Sequence, residues 1–131
     1  MLISLLFAAN AVLAPMTTPD SPETAVQRQV EAYNAHDLDS FAKCYSDDIA
    51  FLGLDGKAEA SPGIVALRKD YADLFKRYPK VKVQILKRIV QGRFVIDQER
   101  TEGAGPSPMT ATAIYEVIQG KIVRVRFLAD Q

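Results

Sequence analysis

Two carboxylates spaced two residues apart stand out chemically in this sequence: Asp97 and Glu99, in the run Val95-Ile96-Asp97-Gln98-Glu99-Arg100. On a strand, positions i and i+2 point to one face. If that face closes an apolar pocket, the two charges disfavour joint ionisation and one carboxyl keeps its proton. The pair then becomes an acid and a base near neutral pH. If the face meets solvent, Phe94 and Ile96 turn to the core and the carboxylates form a hydrated strand surface. Alternation leaves both readings open, because Val95 lies on one face and Phe94 and Ile96 on the other. Asp97 and Glu99 are therefore the candidate catalytic residues, and Tyr33, Asp97, Glu99 and Tyr115 the candidate ligand contacts. The tyrosines read first as core-lining aromatics; a phenol hydroxyl donating into a pocket is their other use.

Other reactive types are scarce. The single histidine, His36, sits in a polar break beside Asp37 and reads as an exposed turn residue with no nucleophile to activate. Cys44, the single cysteine, reads as a small core residue beside Tyr45. One cysteine excludes an intrachain disulfide, and with one histidine it leaves too few soft ligands for a zinc site, so neither metal nor cofactor is expected. Gly103-Ala104-Gly105 is followed by Pro-Ser-Pro where a phosphate-binding loop needs a helix N-terminus. Lys80, Lys82, Lys87, Arg88 and Arg93, with Arg124 and Arg126, alternate with apolar residues and read as a solvated strand face. Sixteen basic and sixteen acidic side chains cancel, giving no global attraction to nucleic acid or anionic lipid.

The elements that must position these groups follow from periodicity. A length of 131 residues, 48% hydrophobic and 24% charged, fits one folded domain and excludes a disordered tail or a multi-span membrane protein. Ser21-Pro22-Glu23 starts a helix, with Val26, Val30 and Tyr33 as its buried stripe. Asn34 to Asp37 breaks it, and Asp37 can cap a second helix carrying Leu38, Phe41, Ala42 and Tyr45. Ser46-Asp47-Asp48 ends that helix, and Ile49 to Leu54 predicts a short strand. Ser61-Pro62 repeats the start signal for a third helix, whose apolar positions from Ile64 to Tyr78 keep helical period up to Pro79. From Val81 the period becomes two. A strand there turns at Gln91-Gly92, and strands follow over 93–102, 109–118 and 121–129. Three helices and then an antiparallel meander predict an α+β domain.

The first fifteen residues carry no charge, and twelve of them are hydrophobic. The run is too short to span a bilayer and is similar to the apolar region of a signal peptide, with small-residue cleavage candidates at Ala9-Asn10-Ala11 and Val12-Leu13-Ala14. The expected organisation is a signal peptide over 1–15, a flexible leader over 16–21 and one domain over 22–131. The protein is then exported, to a periplasm or outside the cell. The alternative is a true start at Met16 and a cytoplasmic protein.

Tyr33-Asn34-Ala35-His36-Asp37-Leu38-Asp39 ahead of Tyr45-Ser46-Asp47-Asp48-Ile49 resembles the nuclear-transport-factor-2-like superfamily, in its SnoaL-like and ketosteroid-isomerase-like branch. So do Val95 to Arg100 and the closing Ile114-Tyr115-Glu116-Val117 with Gly120-Lys121-Ile122. The resemblance covers residues 22 to 129. It implies a curved sheet, the four-strand meander plus the short early strand, wrapped on three helices into a cone with an apolar pocket and frequent dimers. It also implies that Val95, Asp97 and Glu99 face inward. The positions matching the isomerase's general base and its two oxyanion donors are Gly53, Gln29 and Ala113 here, so steroid isomerisation is not expected. What it implies for function is a domain holding a small, mostly apolar molecule in the cone. The alternatives are a cofactor-free isomerase, cyclase or hydrolase using Asp97 and Glu99, or a non-catalytic dimerisation module. With Asp97 inward, Phe94, Ile96, Ile114 and Ile118 form an outer apolar face that a homodimer would cover.

Overall fold

Residues 18–129 are described by a computed structural model. Helix α1 (Pro22–Asn34) begins as its sequence dictates: the Ser21 hydroxyl accepts from the Thr24 N–H, and Pro22 occupies the first turn, where it lacks no needed donor. His36 closes it with a left-handed φ of 54°, and the Asp37 N–H returns to the Ala32 carbonyl. Asp37 then caps α2 (Leu38–Ala42) by accepting from the Ser40 N–H.

The second helix is shorter than its pattern predicts. It stops at Ala42, and Tyr45 opens strand β1 (Tyr45–Gly53), which takes in Ser46-Asp47-Asp48. The Ile122 N–H bonds the Cys44 carbonyl here, so strand pairing overrides a local spacing that helix and strand both satisfy. Helix α3 (Ile64–Arg77) also starts later than Ser61-Pro62 suggests. Its N-cap is Gly63, whose N–H reaches the Ile49 carbonyl at 2.8 Å and ties the helix to β1.

The remaining strands are β2 (Lys82–Gln91), β3 (Phe94–Glu102), β4 (Met109–Ile118) and β5 (Lys121–Ala129). Their order in the sheet is β1-β5-β4-β3-β2, antiparallel except for the parallel pair β1 and β5. The result is an α+β fold whose five-stranded sheet curves without closing around the helices. Three register shifts supply bends: one in β1 between Tyr45 and Ala50, one at Leu86 in β2, one at Val123 in β5.

Val26, Phe41, Ile49, Val95, Ile122 and Val125 are wholly buried between helices and sheet. Each such side chain contributes about 1.5–3 kcal/mol relative to exposure. Cys44 lies in this core. His36 does not stand free in solvent: its ring stacks on Phe75 at 4.6 Å and its Nε2–H donates to the Val81 carbonyl at 2.7 Å. Beside it, Asn34 makes two bonds to the backbone of Val83, at 2.8 and 2.9 Å, satisfying part of the β2 sheet edge. The expected signal peptide, residues 1–15, lies outside the described residues. No described helix is long and apolar enough to cross a membrane.

Candidate functional site

The facing of β3 decides the site. Val95 and Asp97 have no solvent exposure, while Phe94 and Ile96 lie on the opposite, outer face. The parity that the family resemblance implies is therefore the one adopted.

Asp97 does not form an acid–base pair with Glu99. Arg88 lies directly across from it on β2 and takes both of its oxygens, Nε to Oδ1 at 2.7 Å and Nη2 to Oδ2 at 2.8 Å. The guanidinium also donates to Gln27 Oε1 of α1 at 2.9 Å. Reading Arg88 as part of a solvated face is thus wrong, and the cause is local. Val83 and Ile85 face inward, so strict alternation would bring in Lys87 next. The extra residue Leu86 shifts the register, and Arg88 takes the inward position instead. With 14% of its side chain exposed, the guanidinium is held charged by the Asp97 carboxylate.

Glu99 has a different environment. It lines a cavity of about 170 Å³ together with Gln29, Tyr33, Tyr45, Tyr71 and Tyr115, and Asp97 is not among the lining residues. The Tyr115 hydroxyl donates to Glu99 Oε1 at 2.6 Å. Burial pushes the Glu99 carboxyl up to about 7, against a lowering by the Tyr115 hydrogen bond; the Asp97 charge raises it by less than burial does, and Arg88 lowers it. Burial likewise raises the phenols, Tyr33 to about 12 and Tyr45, Tyr71 and Tyr115 well above their ordinary range, so all four stay protonated hydrogen-bond donors. The chamber therefore holds one carboxyl that can gain or lose a proton near neutrality, ringed by neutral phenols.

Gln29 is the residue that sequence reasoning undervalued, noting it only as a missing tyrosine. It is buried in the chamber wall, and its Oε1 has no hydrogen-bond partner. Tyr45 and Tyr71 were legible only as apolar helix positions. Of the other isomerase positions, Ala113 faces Asp97 across the β3–β4 pair and Gly53 ends β1. A larger groove of about 520 Å³, bounded by residues 18–20, α1 and the β4–β5 turn, lies apart from these groups; burial pushes the thiol of Cys44, in its wall, upward and keeps it protonated. No cluster of three or more metal-ligating side chains occurs among the described residues.

The amino-acid sequence matches the SnoaL-like domain family over residues 26–125. The chain belongs to the SnoaL-like family. No functionally curated protein matches it. Among solved structures, this SnoaL-like domain is similar to an uncharacterised cystatin-fold protein from Novosphingobium aromaticivorans, at 24% identity and a TM-score of 0.75, over 83% of this chain and 98% of that one. It is similar to an NTF2-like protein of unknown function from Cytophaga hutchinsonii, at 19% identity and a TM-score of 0.72, over 88% and 95%. A candidate SnoaL-like polyketide cyclase from Jannaschia shares 16% identity, with a TM-score of 0.71 over 90% and 91%. At these identities the likeness is one of fold.

Proposed function

We propose that this SnoaL-like domain binds a small organic molecule in the chamber between α1, α3 and the sheet, with Glu99 as its principal polar contact. The observation that carries the reading is the Glu99–Tyr115 pair in the wall of a cavity otherwise lined mainly by aromatic and aliphatic side chains, with Gln29 and Thr101 as its other polar residues. A carboxyl hydrogen-bonded on one oxygen keeps its other oxygen for a ligand. Polyketide cyclase neighbours are in keeping with a binding role for the fold. A thermal-shift screen of the full chain against neutral one- and two-ring compounds tests it. Stabilisation by some of them that Glu99→Gln weakens supports the reading; no shift with any compound contradicts it.

A second reading, proton transfer, is favoured by the rise of the Glu99 carboxyl to about 7. Such a group accepts a proton from a bound carbon or oxygen acid and returns it at another atom of the same ligand. Asp97 does not itself exchange the proton, since Arg88 occupies both its oxygens.

We further propose a homodimer through the outer sheet face. Ile89, Ile96 and Ile114 lie side by side across β2, β3 and β4, with Phe94 in the neighbouring row and Ile118 exposed at the end of β4. Charges of both signs flank the stripe: Glu116, paired with Arg93 and Arg124, on one side and Arg126 at its end. Such a rim suits a two-fold contact in which each patch meets its own copy.

A further inference from the structure

A second cavity adjoins the chamber. Tyr71, Leu74 and Phe127 also line this second cavity, of about 270 Å³, which Phe51, Glu59 and Asp70 help to bound. A cavity carrying two carboxylates therefore shares a wall with a chamber carrying a third. Among the described residues, no Lys, Arg or His lines either cavity. Arg88, the cation that acts on Glu99, is committed to Asp97 and lines neither. The walls are correspondingly rich in aromatic faces, with four tyrosines in the chamber and two phenylalanines in the second cavity.

The unpaired oxygen of Gln29 adds a second, independent demand. A buried acceptor without a donor is destabilising, and the residue that carries it lines the chamber. Glu99, when ionised, is also an acceptor with capacity beyond the Tyr115 bond. One acceptor without a donor and one carboxylate with spare capacity call for a ligand with at least two N–H donors on one atom. Aromatic faces and the lack of any competing cation call for that atom to be positively charged. The size is set by volume: a cavity of roughly 150 Å³ holds benzene, so the chamber fits one ring.

We propose that the chamber takes a small protonated amine on a one-ring apolar body, its ammonium donating to the Glu99 carboxylate and to Gln29 Oε1. This rests on the binding reading above and names its ligand class; the same wall charges disfavour carboxylate ligands. Protonated amines, steered by Glu59 and Asp70, reach a site that neutral rings enter without steering.

Calorimetric titration of the full chain at pH 8 with benzylamine, benzyl alcohol and benzoate, near-isosteres of different charge, tests the proposal. Benzylamine is expected to bind about tenfold or more tighter than benzyl alcohol, and benzoate not measurably. Glu99→Gln should abolish the preference for the amine, and Gln29→Leu should reduce it several-fold. Equal or tighter binding of benzyl alcohol by the wild-type chain overturns the amine assignment while leaving the binding reading intact. Binding of benzoate overturns it as well. If none of the three binds, the amine assignment fails, and the binding reading fails with it only if the neutral screen is also blank.

Discussion

Arg88 grips Asp97 through both carboxylate oxygens, at 2.7 and 2.8 Å, and so leaves Glu99 as the carboxyl of this strand face that the chamber can use. The two acids are neighbours on one strand face, yet one is a structural ion and the other a titratable group. Their separation into two roles comes from a single extra residue in the adjacent strand.

Removing one partner of that ion pair should be costly. Arg88→Met leaves a carboxylate with no solvent exposure and no counter-charge, and a loss of about 3–5 kcal/mol in urea unfolding is expected. Asp97→Leu added to Arg88→Met should restore most of it. A double variant no more stable than Arg88→Met would show that the pair holds the fold by more than its charges.

Glu99 should make stability fall as pH rises. Its carboxyl is raised from 4.5 to about 7 in the folded chain, so between these values the native state holds a proton that the unfolded state has released. Unfolding is then favoured by increasing pH, by roughly 3 kcal/mol at most, with no further change from this group above 7 or below 4.5. Denaturant midpoints of wild-type and Glu99→Gln chains, compared at pH 4.5 and 7.5, read this directly. The wild-type chain should lose stability relative to the variant at the higher pH.

Asn34 serves the sheet edge rather than the chamber. Asn34→Ala removes both bonds to the Val83 backbone and should cost about 1–3 kcal/mol. Faster amide exchange confined to the start of β2 would locate the effect.

Much of this architecture was legible in the sequence, because the signals were periodic and local. Ser21-Pro22 and Asp37 act as helix starts where their types suggest, and the meander strands keep the boundaries that alternation and the Gln91-Gly92 and Gln119-Gly120 turns set. The misreadings have one kind of cause. Tyr45 was drawn from helix to strand by pairing with β5, a contact distant in sequence. Arg88 was turned inward by a bulge at Leu86 that the alternation of β2 does not announce. His36, polar and in a break, is held by Phe75 and Val81 from elements far along the chain. Of the site, the carboxylates and Tyr115 were visible as residues; which carboxylate is free was not, since that depends on what lies across the sheet.

The outer face should govern assembly. Ile96→Lys or Ile114→Lys places a charge in the middle of the isoleucine stripe and should convert a dimer to a monomer, measured by light scattering on a sizing column, without lowering ligand binding in the chamber. A wild-type chain that is monomeric at high concentration would contradict the proposed contact.

The central claim is that Glu99 is the group of this chamber that exchanges a proton near neutrality. A carbon-13 NMR titration of the side-chain carboxyls, with Glu99 identified by the loss of its signal in Glu99→Gln, measures it directly. The expected midpoint is about 7 for the wild-type chain, moving higher in Tyr115→Phe because the Tyr115 hydrogen bond holds the value down. A wild-type midpoint near the ordinary value of 4.5 would contradict the account.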